Sequence, residues 1–157
     1  MKRRHKPDHT STPAHVVLDN EALAQISTGR PSRPLVVDLQ VASDSGGLVV
    51  LPTSVLVERN HDRTAPAAAP ASANRILRDA RFDALTAARA AEAVALRARS
   101  GEGGSVVDAH IAAAALAVVQ RFGGTATVAT SDPTDISRLL DGAGGGAVRA
   151  VTGVLAL

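Results

Sequence analysis

Val16, Val17 and Leu18 run without a break into Asp19, and an apolar-periodic segment with Glu21 near its start, Glu21-Ala22-Leu23, begins immediately afterwards. A short, wholly apolar run that passes straight into such a segment predicts a buried strand turning directly into a helix. A strand without polar alternation needs cover on both faces, as parallel sheets flanked by helices provide. Asp19 then stands at the carboxyl end of the strand, the edge at which open α/β sheets bind ligands. Taken alone, Asp19 or Asn20 is equally well explained as a helix N-cap, a position both residue types favour.

The pattern recurs along the chain. Helices are expected over Glu21–Ser27 and from Pro34 to about Ser43, each closed by glycine-containing breaks, and Leu48–Leu51 reads as a second buried strand ended by Pro52. Pro52 and Thr53 open a helix that carries Glu58 one turn in, on the face of Ser54 and Val55. Residues 64–72 are rich in Ala and Pro and read as a loop within one domain. A helix is expected over Asn74–Arg81, with Arg75, Arg78 and Arg81 in a row that suits either solvent or an RNA groove, then a short strand over Phe82–Leu85 and an alanine-rich helix over Thr86–Ser100.

After the turn Gly101–Gly104, Ser105 and Asp108 have the spacing of a capping box at the head of an almost entirely apolar, hence buried, helix that runs to Phe122. His110 lies in its first turns, where contact with a phosphate or a structural role would both be ordinary. Thr125–Thr130 is the next strand; Asp132 before Pro133 is a good N-cap for a helix over Thr134–Leu140, with Asp135 three residues on. A loop over Gly142–Gly146 and a last strand over Ala147–Val154 complete the domain.

Composition excludes several chemistries. The 157 residues suit one domain, and with no cysteine there is neither a disulfide framework nor a thiolate metal site, which fits a reducing cytoplasm. No apolar run approaches the ~18 residues of a membrane span, and the basic start is not followed by a signal-peptide core. Lys2, Arg3, Arg4 and Lys6 concentrate positive charge in residues 1–14, expected to be a disordered basic tail ahead of a domain over 15–157. Both lysines lie in that tail, so the domain has neither a Walker-type lysine nor a Schiff-base lysine. With no Trp or Tyr and only Phe82 and Phe122, base-stacking platforms are absent, and any RNA would be held by arginines and backbone amides.

Asp19, Glu58, Asp108 and Asp132 all fall near the carboxyl edge of one doubly wound parallel sheet. Carboxylates crowded there repel one another unless a divalent cation neutralises them, and hard oxygen ligands without cysteine or histidine indicate Mg²⁺ or Mn²⁺. Such an ion activates a water for attack on a phosphodiester.

Val16-Val17-Leu18-Asp19, the segment Leu51–Arg59, Val107-Asp108-Ala109-His110-Ile111 and the segment Val128–Ile136 resemble, in order, the four acidic motifs of the PIN domain family, in particular the VapC-like toxins of bacterial toxin–antitoxin pairs. The resemblance spans about residues 15–154 and implies a three-layer α/β/α fold with a central, mostly parallel sheet. It implies a metal-dependent ribonuclease in which Asp19, Glu58, Asp108 and Asp132 form the acidic pocket, Asp19, Asp108 and Asp132 ligate Mg²⁺ or Mn²⁺, and Thr130 or Ser131 assists through a hydroxyl. A cytoplasmic homodimer, often neutralised by a small antitoxin, is implied as well. Asn20 and Glu21 stand where such chains usually carry a small or hydroxyl residue; Glu21 is an extra carboxylate that either alters metal binding or points to solvent at the helix start, and Asp135 is a similar extra that reads as helix-terminal rather than ligating. The alternative is a catalytically silent PIN-like module that binds RNA or protein. A metal-dependent phosphatase is disfavoured, because no second Asp stands two positions after Asp19 and the domain has no lysine to hold phosphate.

Overall fold

The computed structural model of the chain describes residues 11–61, 78–101 and 103–157. Within these, the order is β1 (Ala14–Leu18), α1 (Asn20–Ser27), α2 (Arg33–Ser45), β2 (Val49–Pro52), α3 (Thr53–His61), β3 (Arg81–Asp83), α4 (Ala87–Arg99), α5 (Val106–Phe122), β4 (Thr125–Thr130), α6 (Pro133–Gly142), α7 (Gly146–Arg149) and β5 (Thr152–Ala156). The five strands form one sheet in the order β3-β2-β1-β4-β5, and every pairing is parallel.

This order fixes the layers. From β1 the chain moves outward to β2 and β3, then returns to β4 on the other side of β1 and continues to β5. Right-handed crossovers therefore put α1 and α2 on one face and α4, α5 and α6 on the other, giving an α/β/α architecture. Val16, Val17, Leu18, Val50, Leu51, Val128 and Ala129 are all buried, as strands covered on both faces must be. α5 lies across β1, β2 and β4 with α4 and α6 beside it. Its buried run from Ala109 to Ala115 contains five alanines, whose small side chains let backbone approach backbone closely.

Two glycines fit β1 into its place. A Cβ on Gly47 would fall 1.8 Å from the Ala14 carbonyl oxygen, and one on Gly124, whose φ is +80°, 2.0 Å from that of Pro13. Only glycine leaves room for these approaches and adopts the second conformation without strain. They also explain why β1 begins at Ala14, inside the stretch assigned to the tail: the Pro13 carbonyl accepts from Thr125 N–H, and Ala14 N–H donates to Ser45 Oγ.

Three expectations are corrected. Arg81 opens β3 instead of closing a helix, because Arg81, Phe82 and Asp83 pair with Val50, Leu51 and Pro52. Residues 84 and 85 lie beyond that strand. The segment expected as a strand over Ala147–Val154 begins with the short helix α7, and β5 starts only at Thr152, whose hydroxyl donates to the Val148 carbonyl at 2.8 Å. Residues 1–10 of the basic tail, the Ala/Pro stretch over 64–72 and Arg75 lie outside the described residues.

Because strand connections diverge on either side of β1, the sheet has a topological switch point between β1 and β4, the place at which doubly wound sheets form a ligand crevice at the carboxyl ends of the strands. Asp19 directly follows β1, and Ser131 and Asp132 directly follow β4.

Candidate functional site at the carboxyl edge of the sheet

Asp19 is the best-anchored of the acids. It is only 6 % exposed. Its Oδ1 accepts from Ala22 N–H at 2.7 Å, capping α1, and its Oδ2 accepts from Ser131 N–H at 2.8 Å, across to the turn after β4. Its own N–H donates to the Ala129 carbonyl at 3.1 Å. The carboxylate thus ties the two strand ends at the switch point. Thr130, buried beside it in sequence register, accepts from Asp132 N–H through Oγ1 at 3.0 Å and so shapes the turn that presents Ser131 and Asp132.

The other acids are held by short-range bonds. Asp132 is exposed; its Oδ1 caps α6 by accepting from Asp135 N–H at 3.2 Å. Asp108 is half-buried and completes the capping box of α5: its Oδ2 accepts from Ser105 N–H at 2.7 Å while Ser105 Oγ accepts from Asp108 N–H at 3.1 Å. Glu58 is exposed on α3. Glu21 is exposed and accepts from Gln25, and Asp135 pairs with Arg138 at 3.2 Å. The capping roles expected of Asp19, Asp108 and Asp132 are all present and use one oxygen of each; the second oxygen of Asp19 takes the bond from Ser131 N–H.

Hard carboxylate oxygens are the right chemistry for Mg²⁺ or Mn²⁺. As the side chains stand, however, no three Asp, Glu or His residues among the described ones gather closely enough to hold a metal ion. The acids share an edge without forming a cation cage.

A tighter polar assembly lies on the β2–β3 side of the same edge. His110 on α5 is fully enclosed. Its Nδ1 lies 2.7 Å from Ser54 Oγ in the first turn of α3, and its Nε2 lies 3.0 Å from Asp83 Oδ2 at the end of β3. Arg89 on α4 clasps Asp83 with both arms of its guanidinium, Nε to Oδ2 at 2.9 Å and Nη2 to Oδ1 at 3.0 Å, and also pairs with Glu92. Burial opposes the charge on Asp83, but hydrogen bonds from His110 and Arg89, with the guanidinium's charge, outweigh it and hold the carboxyl below the usual range. Burial likewise opposes the charge on Arg89, and Asp83 and Glu92 outweigh it to raise the guanidinium further.

Sequence reasoning did not foresee this assembly. Ser54, Asp83 and His110 come from three elements with no common spacing; the one signal was a histidine in a helix otherwise almost entirely of Ala, Ile, Leu and Val. Such a residue must find partners for both nitrogens once the helix is buried.

No protein-family model matches the sequence, and no curated protein matches it either. Among solved structures, the crystal structure of FitAcB from Neisseria gonorrhoeae aligns with a TM-score of 0.45 and 16 % sequence identity, covering 79 % of this chain and 92 % of that one.

Proposed function

We propose that this protein is a metal-dependent endoribonuclease of the PIN type that hydrolyses RNA phosphodiesters, acting as the toxin of a toxin–antitoxin pair. The observation that carries this reading is the bond from Ser131 N–H to Asp19: it draws the first and the fourth acidic motif together at the switch point between β1 and β4. The resemblance of all four motifs, in order, to those of PIN domains supports it.

In this reading Asp19, fixed by two backbone donors, forms the floor of the crevice. Asp108 Oδ1 and Asp132 Oδ2 accept no hydrogen bond among the described residues and are the oxygens left to meet a ligand. Glu58 supplies a further carboxylate from α3, Thr130 positions the turn, and Ser131 offers its hydroxyl. Mg²⁺ or Mn²⁺ would supply charge neutralisation and an activated water when bound. RNA would be gripped by arginines and backbone amides, and a homodimer with a small antitoxin is the proposed assembly. No helix of the described residues is long and apolar enough to cross a membrane.

The test is incubation of the purified chain with total RNA in Mg²⁺ or Mn²⁺, with EDTA as control. Cleavage in metal alone is expected, and Asp19→Asn or Asp132→Asn should lower it by about 10²-fold or more, as loss of a charge-stabilising group does. Equal cleavage by these variants overturns the assignment. A non-cleaving PIN-like binding module is the second reading, favoured by the backbone donor already bonded to each Asp19 oxygen. It predicts RNA retention on a filter with no product in any metal.

A further inference from the structure

The assembly around His110 points to a chemistry separate from the acidic crevice. Arg89 donates to both oxygens of Asp83, which fixes that carboxyl as an acceptor. The neutral His110 ring then carries its proton on Nε2, the nitrogen facing Asp83, which leaves the Nδ1 lone pair toward Ser54. The Ser54 hydroxyl consequently donates its proton to His110. Nucleophile, base and orienting carboxylate are thus bonded in series, the relation that activates a serine.

The setting agrees. Ser54 lies in the first turn of a helix that leaves a parallel strand at the carboxyl edge, and it is half-buried while its base is enclosed. The chain order Ser54, Asp83, His110 is the order serine nucleophile, acid, histidine found in α/β-hydrolases, although no Gly-x-Ser-x-Gly elbow surrounds Ser54. First-turn N–H groups of α3 have no acceptor within their helix and are available to a developing oxyanion. Exposed Val57, one turn along α3, and exposed Leu85, whose N–H donates to Thr53 Oγ1 at 3.1 Å, give the surroundings an apolar border.

We propose that Ser54 is a serine nucleophile for carboxylic esters with a small apolar acyl group, with His110 as its general base and Asp83, clasped by Arg89, as the group that orients the base. Ser54 Oγ bonds to the ester carbonyl carbon as its proton passes to His110 Nδ1. The carbon–alkoxy bond breaks, and the alcohol leaves with that proton. Water then attacks the acyl-serine, gives a proton to His110, and releases the carboxylic acid as Ser54 regains its hydrogen.

The experiment exposes the full chain to a fluorophosphonate probe, which bonds phosphorus to Oγ and expels fluoride with the serine proton, and follows intact mass and p-nitrophenyl acetate hydrolysis. One adduct per chain, mapped to Ser54, is expected, with none in a Ser54→Ala variant that still melts cooperatively and is folded at the labelling temperature. Asp83→Asn, which misorients the base while nearly preserving volume, should slow labelling by about 10²- to 10⁴-fold. The proposal is overturned if the native chain labels no faster than the chain unfolded in urea, if the adduct maps elsewhere, or if Ser54→Ala labels equally. RNA cleavage enters none of these outcomes.

Discussion

The two edges of the sheet each enclose a histidine, and they use it differently. At the amino edge, His15 donates from Nε2 to the Gly123 carbonyl at 2.9 Å and accepts at Nδ1 from Leu48 N–H at 3.0 Å, so both partners are backbone. At the carboxyl edge, both partners of His110 are side chains, one a hydroxyl and the other a carboxylate clasped by an arginine. Backbone partners cannot titrate or react, and the glycines beside His15 hold the chain in close approach. His15 is therefore a fastening for β1. Side-chain partners can exchange protons, which is what places chemistry at the opposite edge.

The sharpest way to break this contrast is to remove each ring. His110→Ala leaves Ser54 unbonded, weakens the pairing of Asp83 and opens a cavity in the core, and should cost about 3–4 kcal/mol. His15→Ala orphans one N–H and one carbonyl and should cost about 2–3 kcal/mol. Urea midpoints of the two variants measure both, and a smaller loss for His110 than for His15 would show that the side-chain network is the weaker fastening.

The contrast sharpens with pH. The Asp83 carboxyl sits below its unfolded value, so its contribution to stability is complete above about pH 4 and is lost as pH falls through the folded value. Arg89→Met should lower stability at pH 7 by about 1–2 kcal/mol, the range for a partly exposed charge-assisted pair. The gap between native and variant chains should narrow as the pH falls below about 4 through the folded value of Asp83, and urea midpoints taken downward from pH 7 read this directly. A gap that stays constant until the chain acid-unfolds would remove Asp83 as the source.

The smallest effects belong to the acids that serve as local caps. Asp132→Ala removes an exposed N-cap and should cost about 1 kcal/mol or less. Arg138→Met, which breaks an exposed pair with Asp135, should cost at most about 0.5 kcal/mol. Thermal midpoints resolve the two, and a large loss at Asp132 would mean that its carboxylate does more than cap α6.

What the sequence determined by itself follows from interactions between near neighbours. Uniformly apolar runs placed β1 and β2, an alternating stretch of Thr with Ala and Val placed β4, and the capping of Asp19, of Ser105 with Asp108, and of Asp132 with Pro133 was readable because each joins residues at most three apart. The parallel, helix-covered architecture followed from β1 and β2, which lack polar alternation. Where local preference was weak, the reading failed: Arg81 is a strand residue only because β2 supplies an edge to pair with, and Val148 closes a helical turn because Thr152 bonds back to it. Only the tertiary structure decided that Asp19 reaches across 112 positions to Ser131, and that Ser54, Asp83 and His110 meet. Those contacts join separate elements at one sheet edge, so their partners are selected by strand order and helix packing, and no spacing along the chain encodes them.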